Sequence, residues 1–159
     1  LYIRQGKLDR IDRAHADESA PLTSINSRIH TGTTHFATVM TIPDALDFHQ
    51  SIGIEAKSAR LRFLRDRWAI PARQIAGVDV LTPDDPRMVG ALTAFRLKGR
   101  GVREFNVAIV RALLDEFGIF TFQRTGLARG DCVRVTPALY NAPADADRLV
   151  AALTVLAAR

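Results

Sequence analysis

The chain has 159 residues, 47% of them hydrophobic and 25% charged, with 22 Lys and Arg against 17 Asp and Glu for a formal net charge of +5. That is the balance of an ordinary globular domain, long enough to bury roughly two thirds of the surface its unfolded chain exposes. It excludes a disulfide framework, because Cys132 is the single cysteine, and a membrane helix, because no run approaches the ~20 apolar residues needed.

The strand-like opening Leu1-Tyr2-Ile3-Arg4 lacks an initiator Met and a strand before it to pair with. The expectation is a chain that begins in mid-fold, as the C-terminal part of a larger enzyme. Residues 5–31 are polar and irregular, with Asp9, Asp12, Asp17 and Glu18 among basic residues. They read as a long connection with short helical turns, and a loop of that length is functional or packs on another part of a protein.

From Thr34 the helical period takes over. Pro43, which lacks an amide hydrogen, marks a kink or a fresh helix start. Ala45, Leu46, Phe48 and Ile52 form an apolar stripe, and Gly53 breaks the run before a helix at 54–69. That helix sets Leu61, Leu64 and Trp68 on one face. The run from Lys57 to Arg73 sets Lys57, Arg60, Arg62, Arg65, Arg67 and Arg73 against one acid, Asp66, as expected of a solvated helix face.

The remainder alternates. Strands are expected at 78–81 and 91–98, with the Gly99-Arg100-Gly101 turn after them. A helix at 102–117 carries Phe105, Ile109, Leu113 and Phe117 in step and stops at Gly118. Strands at 119–123 and 132–136 and a helix at 144–158 complete an α+β layer arrangement, a small sheet covered by helices on one face.

Two segments have the composition of a binding site. In Arg28-Ile29-His30-Thr31-Gly32-Thr33-Thr34, glycine allows close backbone approach and the threonine hydroxyls and helix amides suit an anion such as phosphate. The same residues also suit plain N-capping by Thr33 or Thr34. In Cys132-Val133-Arg134-Val135-Thr136-Pro137, strand alternation puts Val133 and Val135 on one face and Arg134 on the other. A guanidinium there can hold a carboxylate or phosphate by two parallel hydrogen bonds, or serve a structural ion pair. Next, Tyr140-Asn141-Ala142-Pro143-Ala144-Asp145 reads as a helix start, with Asn141 or a neighbour as cap and Asp145 and Asp147 at the positive dipole end. No metal site is expected, because His15, His30, His35 and His49 show neither an i, i+4 pair nor a Cys-x-x-Cys companion.

Taken in order, the segments 1–4, 28–33, 45–53, Val80-Leu81-Thr82-Pro83 and Arg134-Val135-Thr136-Pro137 with Tyr140-Asn141 resemble the C-terminal portion of the class V aminotransferase family. These are fold type I pyridoxal-phosphate enzymes, and the subgroup similar to isopenicillin N epimerase fits best. The resemblance implies an α/β chain, with residues 1–33 ending a large cofactor-binding domain and 34–159 forming linking helices and a C-terminal small domain. It implies pyridoxal 5'-phosphate as cofactor, an amino-acid or amine substrate, a homodimer, and transamination or epimerisation.

By the same resemblance, the Gly32-Thr33 pair reaches the cofactor phosphate of a partner subunit, Arg28 opens that segment, and Arg28 and Arg134 bind substrate. Arg134 is the arginine that holds the substrate carboxylate. Relatives often carry a glutamate where this chain has His30. The Schiff-base lysine of the family falls before the segment that Leu1 opens, and Lys7, Lys57 and Lys98 lack its context. No catalytic residue is therefore expected in this chain, and it should be inactive alone. Cys132, on a strand, does not suit the mobile nucleophile of a desulfurase. A cytoplasmic location and no membrane partner are further expectations. The rival reading is a small basic α+β nucleic-acid-binding module, resting on helix 54–69 and Phe95, Phe120 and Phe122. It lacks the aromatic-and-basic motif of RNA recognition.

Overall fold

The computed structural model describes residues 3–4, 6–13, 20–29, 32–128 and 130–159. The chain forms two compact units, Leu1–Asp47 and Phe48–Arg159.

In the first unit, a single 3-10 turn at Leu8–Arg10 and a one-turn helix α1 at Asn26–Ile29 interrupt the polar connection. Of the strand expected at 1–4, Leu1 and Tyr2 lie outside the described residues, and Ile3 and Arg4 carry no strand pairing. His15, His30 and Thr31 also lie outside them. Helix α2 spans Phe36–Met40 and α3 spans Ile42–Ile52. Pro43 stands in the first turn of α3, where its missing amide hydrogen costs nothing. The apolar stripe expected along α3 is not covered: Leu46 is 54% and Phe48 62% exposed.

Gly53, at φ +85°, ends α3 in a conformation open to glycine and admits α4, Ile54–Ala72. The expected helix is thus one turn longer, running past Pro71. In the second unit follow β1 (Val78–Val80), β2 (Thr93–Leu97), α5 (Arg103–Phe117), β3 (Phe122–Arg124), β4 (Cys132–Val135) and α6 (Pro143–Ala157). The strands form one antiparallel sheet in the order β1-β2-β4-β3. The strand expected at 119–123 begins three residues late, for a local reason. Gly118, left-handed at φ +67°, closes α5, and the Ile119 amide folds back onto the Leu113 carbonyl at 2.8 Å.

One face of the sheet buries Val78, Val80, Phe95, Leu97 and Val133 against Trp68 and Ala72 of α4, Ile109 and Leu113 of α5, and Leu149 and Leu153 of α6. Trp68 meets Phe95 edge-on, 6.1 Å between centroids, a geometry worth about 0.5–1.5 kcal/mol beyond the area it buries.

The basic run of α4 departs from the solvated face expected of it. Arg60 donates to the Asn141 carbonyl at 2.8 Å, Arg62 to Pro86 at 3.1 Å, and Arg73 to Thr82 at 2.6 Å. Arg65 is buried beside Asp66, and Arg67 forks onto Asp147 through two bonds of 2.7 Å. These arginines act as struts because loop carbonyls and α6 acids lie within reach of their long stems.

Candidate functional site

The face of the sheet opposite the helices carries Arg134, the candidate anion-binding residue. Alternation along β4 puts Arg134 on it, as expected, with Val133 fully buried on the other side. The register places Arg134 between Ala94 of β2 and Phe122 of β3. Its guanidinium carbon stands 6.0 Å from the Phe122 ring centroid, within range of a cation–π contact. The residue is half-buried, and its Nε is sealed from solvent without a hydrogen-bond acceptor among the described residues. With Nε sealed, the two Nη groups are the donors through which the guanidinium can meet an anion on this face.

Two neighbours on this face escape a sequence reading. Arg124 lies 4.6 Å over the same Phe122 ring, from the opposite side of the register pair to Cys132. Arg96, paired across strands with Asp79, is buried further along the sheet. The expected strand ended at Gln123, one residue short of the i, i+2 spacing that aligns Arg124 with Phe122.

Cys132 is buried, and burial pushes its thiol above the usual range despite the opposing pull of Arg96 and Arg124. It is therefore the protonated thiol at neutral pH, and poorly nucleophilic.

The turn after β4 is fixed by its own side chains. Asn141 accepts the Ala138 amide at 2.8 Å and donates to Asp145 at 3.1 Å, while Asp145 accepts the Ala142 amide at 3.0 Å. Those bonds hold the Asp145 carboxyl below the usual aspartate range. The expected cap is thus shared: Asn141 ties the turn and Asp145 takes the free amide of the helix start.

In the first unit, Arg28 clamps its own loop, donating to the Leu22 carbonyl at 2.7 Å, the Ile11 carbonyl at 3.3 Å and the Ser27 hydroxyl. Gly32 has φ +135°, and a Cβ there would meet nothing within 4 Å. The cap of α2 is neither Thr33 nor Thr34. His35 accepts the Thr38 amide on Nδ1 at 3.1 Å. Thr33 is exposed and makes no hydrogen bond among the described residues, so its hydroxyl stays available to a ligand. Glycine freedom beside a free hydroxyl fits the donor set of a phosphate contact.

Among the described residues no group of three or more His, Cys, Asp and Glu is placed to hold a metal ion. No described helix is long and apolar enough to cross a membrane.

No protein-family model matches the chain, and no curated protein matches its sequence. Solved structures do match it. One is a variant of a cystine C–S lyase with glycine covalently linked to its PLP cofactor: TM-score 0.66, 21% identity, 96% of this chain and 40% of that one. A cysteine desulfurase from Escherichia coli matches at TM-score 0.65 and 24% identity, over 99% of this chain and 38% of its own. An alanine–glyoxylate aminotransferase from Nostoc sp. matches at TM-score 0.52 and 19% identity, over 83% and 34%. The chain therefore spans well under half the length of these proteins. The likeness shows the fold: an α/β arrangement with a small helix-covered sheet, as in these fold type I enzymes and as the sequence led one to expect.

Proposed function

We propose that this chain supplies the substrate-carboxylate half of an active site in a pyridoxal-phosphate-dependent enzyme acting on an amino acid or amine. The observation that carries the reading is Arg134: a half-buried guanidinium with a sealed, unpaired Nε, on the sheet face opposite the core. Pyridoxal phosphate supplies the electron sink for the chemistry at the substrate's α-carbon. The part of Arg134 is to take the substrate carboxylate in a fork of two hydrogen bonds, fixing the plane of the substrate relative to the reacting bond. Asn141 and Asp145 lock the turn that follows β4 and so hold the strand end in place.

Gly32 and Thr33 are proposed to hold the cofactor phosphate of a partner subunit, the glycine by close approach and the threonine by its free hydroxyl. Arg28 is proposed to shape that segment and to assist substrate binding through Nη2, since its other donors are engaged. This assigns residues 1–33 to the end of a cofactor domain and 34–159 to linking helices and a small domain of a homodimer.

Within the family the proposed subgroup is the isopenicillin N epimerase-like one, with transamination or epimerisation as the reaction. The single cysteine supports this over sulfur transfer to an enzyme thiol, because it is buried and held protonated. Against the nucleic-acid alternative, Phe95 is fully buried and the α4 arginines Arg60, Arg62 and Arg67 are engaged within the fold, while Phe120 and Phe122, the other aromatics it rested on, are exposed.

The test is spectroscopic. The complete enzyme should bind pyridoxal phosphate with a visible absorbance band that shifts on adding amino acids. No uptake of the cofactor by the complete enzyme would refute the proposal.

A further inference from the structure

Phe122 is touched by two guanidinium groups, Arg124 at 4.6 Å and Arg134 at 6.0 Å from its ring centroid. Both lie on one sheet face by register, since Phe122 pairs with Arg134 and Arg124 with Cys132. Neither arginine has an ion pair or a hydrogen bond among the described residues. This is unlike the arginines of α4, and unlike Arg87 and Arg159, which fork onto Asp85 and Glu116. The nearby acids are Asp79, which faces Arg96, and Asp131, which accepts from Gln123 at 2.9 Å. Two like charges gathered on one aromatic ring repel each other, and that arrangement becomes favourable when anions neutralise both.

A single carboxylate saturates one guanidinium in the two-bond geometry. Arg134 sits deeper, with its Nε sealed, whereas Arg124 is exposed on the edge strand with its donors unengaged. We infer that Arg124 is a second anion anchor, so that the substrate is an amino acid whose side chain ends in an anionic group. The inference rests on the reading of Arg134 as the α-carboxylate anchor. Arg124 is then the specificity-determining residue: it selects dicarboxylic over neutral substrates of the same length, because a neutral side chain leaves it unpaired.

The test is calorimetric titration of the complete, cofactor-loaded enzyme with two unreactive four-carbon acids, succinate and butyrate. Wild type should bind succinate at least about tenfold more tightly. In Arg124→Gln the two acids should differ by no more than about twofold, through loss of succinate binding alone, and Arg124→Lys should keep part of the preference. Arg134→Gln should weaken both acids. Equal binding of the two acids by wild type, or a preference that survives Arg124→Gln, overturns the second anchor. In either case a loss of both acids in Arg134→Gln leaves the α-carboxylate reading standing. Should Arg134→Gln change neither acid, both readings fall.

Discussion

The side-chain amide of Asn141 donates to the Asp145 carboxylate at 3.1 Å while its oxygen takes the Ala138 amide at 2.8 Å. One residue thus ties the end of β4 to the start of α6, and Arg60 braces the same turn by donating to the Asn141 carbonyl. Asn141→Ala should lower stability by about 1–2 kcal/mol, the scale of a lost turn bond that leaves a partly buried amide unpaired. Urea denaturation measures it. If Arg134 holds the carboxylate of an amino-acid substrate, the same variant of the complete enzyme should raise KM for that substrate more than it lowers kcat, because Arg134 loses its fixed backbone frame.

Asp145, Asp147 and Glu116 all titrate below their ordinary range, chiefly through side-chain hydrogen bonds from Asn141, Arg67 and Arg159 respectively. A carboxylate whose pKa is lower folded than unfolded stabilises the fold above its unfolded pKa. That contribution is lost as pH falls through the folded value. Stability should therefore be flat around neutrality and fall below about pH 4, the ordinary carboxylate range. Asp147→Asn should make the fall shallower, which thermal melts across pH would show.

Cys132 should react slowly with a thiol reagent in the native protein and rapidly in urea, because burial keeps the thiol protonated and out of reach. Cys132→Ala should leave turnover within about twofold of wild type, as expected for a side chain with no chemical role. A large loss of activity with an unchanged melting temperature would reassign it.

A largely apolar cleft of about 100 Å³ is lined by Leu64, Trp68, Phe120, Val135 and Leu149, with Thr121 and Thr136 beside them. Trp68 Nε1 and Thr121 Oγ1 are both buried and make no hydrogen bond among the described residues. Buried donors are met by ordered water, so a crystal structure should show a water within hydrogen-bond distance of Thr121 Oγ1. Thr121→Val should then cost no more than about 1–2 kcal/mol, the scale of one hydrogen bond to water.

The order strand, strand, helix, strand, strand, helix was legible because Phe95, Ile109, Leu113, Val133 and Leu149 repeat with the period of their elements. Arg134 was legible for the same reason: a cation between two valines on a strand points away from the core. What the sequence hid were partnerships formed across the chain. Arg67 and Asp147 are eighty residues apart, and no local pattern predicts their fork. Arg124 was missed because the cap of α5 shifts β3, and the shift depends on the Ile119 amide finding the Leu113 carbonyl. Thr33 looked like a cap and is not one, since the His35 ring reaches the Thr38 amide first.

The most direct measurement compares an amino-acid substrate with its decarboxylated amine in wild-type and Arg134→Gln forms of the complete enzyme. If Arg134 holds the substrate carboxylate, kcat/KM for the amino acid falls by about a hundredfold or more, the scale of a lost charge-assisted fork. The value for the amine should change by no more than about threefold. An equal loss for both compounds, or none for the amino acid, would contradict the account.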